Sequence, residues 1–131
     1  MTERVMVIFG GVSTEHEISC RSAYYIIGAL REAGYEVCPV GITLQGEWIS
    51  FHCKDEVLLS EDWVIQAKAA LVESGSERIP RSVSSVRHFL ASFCDNQLPD
   101  LIFPAVHGIN CEDGALQGLL QLSDIPYVGS P

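Results

Sequence analysis

Basic side chains are scarce in this chain: eight Lys and Arg stand against 17 Asp and Glu, a formal net charge of −9 over 131 residues. Binding to a phosphate backbone needs clustered cations, so nucleic acid is set aside as a partner. Long apolar runs are missing too, and the longest fall far short of the ~20 residues of a bilayer-spanning helix. Met1-Thr2-Glu3-Arg4 leads straight into a strand-like segment without a signal-type stretch, so a cytoplasmic protein away from the membrane is expected. The five cysteines, Cys20, Cys38, Cys53, Cys94 and Cys111, are odd in number and contain no C-x-x-C pair. They are expected to be reduced thiols, neither a disulfide frame nor a zinc site. Neither G-x-G-x-x-G nor a Walker lysine is present, and Ser13 lies in no G-x-S-x-G elbow. His107 and Glu112 offer two metal ligands, with no H-x-x-x-H or cysteine spacing to complete a set. Cys111 and His107 at i, i+4 hint at a thiol nucleophile, with nothing else in support. His16, His52 and His88 have no evident partners and read as surface residues.

What is present is alternation. Apolar residues at 47% and charged residues at 19% suit one globular domain. Val5-Met6-Val7-Ile8-Phe9 is a continuous apolar run ending at Gly10-Gly11, as in a central buried strand. Ile18, Ala23, Ile26, Ile27 and Leu30 then mark a helical face, with Thr14 and Glu17 as a capping box and Gly34 as the stop. Residues 36–42 read as a second strand, making a right-handed βαβ unit with a parallel pair. Residues 42–51 suggest a hairpin excursion turning at Gln45-Gly46, with Trp48 and Phe51 as packing residues. The middle says least: helices are expected over 62–72 and 83–93, with a loop over 75–81. Residues 101–106 read as a buried strand, Leu116, Leu119, Leu120 and Leu122 as the inner face of a helix, and 126–128 as a short last strand. The pattern predicts an α/β fold: a Rossmann-like three-layer domain with a mainly parallel sheet. The stop directly after that last strand suggests a domain of something longer.

Two segments carry chemistry. In the first, Gly10 and Gly11 permit a tight turn, and Ser13, Thr14, Glu15 and Glu17 follow at a helix start. Free amides there could hold an anion, while Glu15, kept ionised by the helix dipole, could take an ammonium. Both ends of a zwitterion would then be gripped. Helix capping by the same residues is the plainer alternative. In the second, His107 follows directly on a strand, Gly108 keeps the main chain accessible, and Glu112, Asp113 and Gly114 open a helix. Ligands of α/β proteins bind at that strand edge. A His–Glu pair could tune or orient an amino-acid substrate; the alternative is Asp113 as an N-cap beside a first-turn acid.

Together the segments resemble the amino-terminal domain of the D-alanine–D-alanine ligase family, within the ATP-grasp superfamily. Residues 10–19 are similar to its glycine pair followed by Ser-x-Glu-x-Glu-Ile-Ser. Residues 107–118, with 125–130 after them, are similar to its H-G-x-x-G-E-D-G-x-L-Q-G signature. The resemblance frames nearly the whole chain, although residues 46–97 add little. It implies an ATP- and magnesium-dependent ligase of three domains. Such an enzyme joins two D-amino acids, through an acyl-phosphate of the first, into a dipeptide for peptidoglycan and hence cell shape. It further implies that Glu15 binds the first substrate's ammonium, that His107 lies beside the substrate, and that Glu112 supports His107. Family members are commonly dimers, which implies an interface contribution.

Two departures stand out. Cys111 replaces the glycine expected before Glu-Asp-Gly, and positive φ there would strain it by roughly 1–2 kcal/mol. The loop then differs, or the second substrate has moved towards D-serine or D-lactate. The ATP and magnesium sites belong to the family's central and carboxyl-terminal domains, outside this chain, so these residues alone are expected to be inactive and to bind neither. A stand-alone Rossmann-like binding or regulatory module without ligase activity is the alternative of another class.

Overall fold

The apolar run after Arg4 becomes the centre of the sheet in the computed structural model, which describes residues 3–12, 14–74, 85–105 and 115–128. Strand β1 (Arg4–Gly10) lies between β2 (Glu36–Ile42) and β4 (Leu101–Pro104), parallel to both, and β3 (Trp48–Ser50) runs antiparallel on β2. The order is β3-β2-β1-β4. A strand flanked on both edges and covered on both faces must be apolar at every position, and Val5 to Phe9 are fully buried. Tyr127 adds an isolated parallel bridge to Ile102 in place of a full last strand.

Helices cover both faces, giving the expected three layers. Val5, Val7 and Phe9 face α1 (His16–Glu32) and α2 (Trp63–Ser74), with a 3-10 helix at Asp55–Leu59 beside them. Met6 and Ile8 face α3 (Val86–Ala91) and α4 (Ala115–Ser123) through Leu90, Phe93 and Leu120. Phe9 meets Trp63 and Phe51 at ring-centroid distances of 5.0 and 5.5 Å. Trp63 lies so close over Gly41 that a Cβ there would stand 2.5 Å from its ring. Gly34 (φ +96) ends α1 as expected, with Gly34 N–H donating to Arg31 and Tyr35 N–H to Leu30, the paired bonds of a Schellman motif.

Several expectations need correction. Ile18 is 54% exposed, because the inward face of α1 is His16, Ser19, Cys20, Ala23 and Ile27, and Ile18 lies about 200° around from His16. Leu122 is likewise exposed, two residues past buried Leu120. The Thr14–Glu17 capping box does not form: Glu15 is the N-cap, without a side-chain capping bond. The helix expected over 83–93 is shorter, capped by Ser85, whose hydroxyl accepts from His88 N–H. The loop expected over 75–81 lies outside the described residues. Finally, Cys38 and Cys94 form a disulfide. They are 56 residues apart, so no spacing motif exists, but β2 and the turn after α3 bring their Cα atoms to 6.0 Å, within bridging range. Cys20 and Cys53 are free thiols.

Candidate functional site

The site builds from the carboxyl ends of β1 and β4. These neighbouring parallel strands pair Ile8 with Pro104, and Ala105 N–H donates to Ile8 O at 2.7 Å. Chain leaving each strand therefore emerges at one edge of the sheet. Gly10 (φ +91) and Gly11 (φ +105) turn the first loop sharply over β2, where Gly11 N–H donates to Ile42 O at 2.8 Å. A Cβ on Gly10 would collide with that same carbonyl. The buried Ser19 hydroxyl joins the two strand ends, accepting from Gly10 N–H at 2.9 Å and donating to the carbonyl of Ala105.

The amides of Gly10 and Gly11 are both committed to internal bonds. A strand end buried in an α/β sandwich must satisfy its polar groups, and these two are satisfied by Ser19 and Ile42. Glu15 does sit where the sequence puts it, exposed at the start of α1 beside the edge, its carbonyl accepting from Ser19 N–H at 3.0 Å. Ser13, His107, Gly108, Cys111, Glu112, Asp113 and Gly114 lie outside the described residues. Ala105 is the last described residue before the segment that holds His107.

His16 is not the surface residue expected: only 8% of it is exposed. Its Nδ1 is 2.8 Å from Gly11 O, and its Nε2 is 3.0 Å from Trp63 Nε1. A carbonyl only accepts and an indole N–H only donates, so the ring is neutral with its proton on Nδ1. The two ring planes lie within 18° of each other, their centroids 5.7 Å apart. His16 and Trp63 also line a cleft of about 420 Å³ with Glu17, Arg21, Leu44 and Glu61, a size suited to a small molecule. With both nitrogens engaged, His16 offers no free ring nitrogen to an occupant. Cys20 on the same wall is inert, its thiol pushed up to about 12 by burial and then by Glu17. Among the described residues no group of three His, Cys, Asp or Glu side chains is placed to hold a metal.

Hydrophobic periodicity missed His16, Ser19 and Trp63. The signal was in the residue types: a histidine and a serine in register with Cys20, Ala23 and Ile27 on one helical face are buried polar groups awaiting partners.

Known proteins match this chain over nearly its whole length. The profile of the D-ala D-ala ligase N-terminus matches residues 4–130. The D-alanine--D-alanine ligase of Caldicellulosiruptor bescii is 44% identical, with 96% of this chain and 33% of the relative covered. That of Ruminiclostridium cellulolyticum is 40% identical, covering 97% and 35%. The chain thus spans about a third of the curated relatives it matches. Among solved structures, VanG D-Ala:D-Ser ligase from Enterococcus faecalis superposes with a TM-score of 0.71 at 32% identity, over 98% of this chain and 36% of that one. The D-alanine-D-alanine ligase of Coxiella burnetii gives 0.68 at 36% identity, over 97% and 35%. With matching sequence over nearly its whole length and a matching fold, the chain belongs to the D-ala D-ala ligase N-terminus family.

Proposed function

We propose that this chain is the amino-terminal, substrate-binding domain of an ATP-dependent ligase. That enzyme joins D-alanine to D-alanine, or to another D-amino or D-hydroxy acid, as a cell-wall precursor. One observation carries the reading beyond family membership. β1 and β4 end side by side, tied through Ser19, so the loop bearing Glu15 and the chain leading to His107 depart from one edge. An exposed carboxylate at that edge suits an ammonium group, and Glu15 takes that role for the first substrate. His107, supported by Glu112, is proposed to orient the same substrate from the second loop. Gly10 and Gly11 shape the first loop, and the resemblance assigns Ser13, Gly108, Asp113 and Gly114 to the same two loops.

ATP and magnesium, when bound to the whole enzyme, supply activation of the first carboxylate. No described residue of this chain is assigned to hold either. The similarity to both D-Ala:D-Ala and D-Ala:D-Ser ligases keeps either second substrate within the proposal. A homodimer and a cytoplasmic location belong to the same reading. No helix among the described residues is long and apolar enough to cross a membrane. A stand-alone binding module has no observation in its favour.

The test is Glu15→Gln in the full-length enzyme. Loss of the charge that takes the ammonium should cut kcat/KM for D-alanine by about a hundredfold or more, with circular dichroism unchanged. Wild-type turnover in a folded variant would remove Glu15 from the site.

A further inference from the structure

We infer that His16 is the positioning residue for Glu15, acting as a neutral double latch between the Gly10-Gly11 turn and Trp63. The inference rests on the proposed role of Glu15 and deepens it. Glu15 is the N-cap of α1 and His16 the first residue of that helix, so whatever fixes the His16 ring fixes where the Glu15 side chain departs. The ring is held at both ends, by the Gly11 carbonyl through Nδ1 and by the Trp63 indole through Nε2. The indole is fixed in its turn, packed against Gly41 of β2 and Phe9 of β1.

One turn later Ser19 completes the fixation, its N–H on Glu15 O and its hydroxyl on Gly10 and Ala105. The helix start is thereby referenced to β1, β2, β4 and α2 together. A ring placed only to fill volume needs no polar partners, and phenylalanine would serve. The donor–acceptor order seen here is satisfied by one tautomer of the imidazole. What that order secures is registration: an exposed carboxylate on a helix terminus that cannot rotate or slide against the strand edge. Preorganisation of this kind shows in substrate affinity more than in turnover once substrate is bound.

The experiment is steady-state kinetics of the full-length enzyme carrying His16→Ala, His16→Asn or Trp63→Phe, beside Glu15→Gln. His16→Ala should raise KM for the first D-amino acid about tenfold, with kcat and the KM for ATP within about threefold of wild type. His16→Asn, whose amide can still donate to Gly11 O, should recover most of that loss. Trp63→Phe, which keeps a ring but removes the donor, should raise the same KM by about threefold. Since Trp63→Phe and His16→Asn retain packing, they carry the test if His16→Ala does not fold. An unchanged first-substrate KM in the folded variants overturns the inference. So does a uniform fall in activity that tracks the folded fraction, because that is structural support alone. A crippled Glu15→Gln beside kinetically normal His16 and Trp63 variants leaves the ligase reading standing and removes only the positioning role. A normal Glu15→Gln removes both.

Discussion

The two ends of the sheet are held together by different chemistry. At the carboxyl edge, His16, Ser19, Gly10 and Gly11 form a buried, uncharged set of hydrogen bonds in which each described polar group has a partner. At the opposite edge the fastenings are partly exposed ion pairs and a covalent bond. Arg4 pairs with Glu36 at 2.8 Å, Arg31 with Asp55 at 3.1 Å, and Cys38 is bridged to Cys94. Neutral buried bonds are directional and lose strength steeply when bent, so they hold a geometry. Ion pairs near solvent tolerate movement, and a disulfide acts largely by restricting the unfolded chain. One edge is built for position and the other for persistence.

The largest expected effect lies at the second edge. Reducing Cys38–Cys94 opens a loop of 56 residues, which by chain entropy should cost roughly 4 kcal/mol, read as a shifted urea midpoint with and without dithiothreitol. Coincident midpoints would show that the bridge contributes no stability. At the first edge, Gly10→Ala combines positive φ with a collision against the Ile42 carbonyl and should cost about 3 kcal/mol. A change below about 1 kcal/mol would mean the turn can relax and is less fixed than the comparison holds. Ser19→Ala leaves Gly10 N–H and the Ala105 carbonyl unpaired at a buried position and should cost roughly 2 kcal/mol.

Smaller effects sharpen the contrast. Arg4→Ala should cost less than about 1 kcal/mol and lose even that in high salt, where Ser19→Ala should be unaffected. A salt-sensitive Ser19→Ala would erase the distinction between the edges. Cys20 adds an alkaline limb. Its folded pKa is raised to about 12 from an ordinary 9.0, so the unfolded chain releases this proton first as pH climbs. Its contribution to stability is full below pH 9 and falls as pH rises from 9 towards 12. Cys20→Ala should flatten that limb in a pH series of denaturation midpoints.

Where periodicity and steric rules act locally, the fold is legible in the sequence. The apolar run of β1, the Gly34 stop of α1, the 36–42 strand and the Gln45-Gly46 turn all appear as expected. Glu15 was legible because a helix start after a glycine pair is a local pattern. The failures share a cause. Ile18 was assigned inward because it is apolar, and His16 outward because it is polar, yet the inward face of that turn is chosen by the bonding needs of two strand ends. Cys38 and Cys94 were read as separate thiols because nothing within 56 residues of chain connects them.

By itself, then, the sequence determined the layered α/β class, the order of its elements and the place of Glu15 at a helix start after a glycine pair. Those features rest on hydrophobic period, glycine stereochemistry and residue type along the chain. Only the tertiary structure decided that the glycine amides are committed, that His16 is a buried neutral latch on Trp63, and that Ser19 joins β1 to β4. Hydrogen-bond partners are assigned by proximity across elements, and 46 residues separate His16 from a Trp63 whose indole lies within bonding distance.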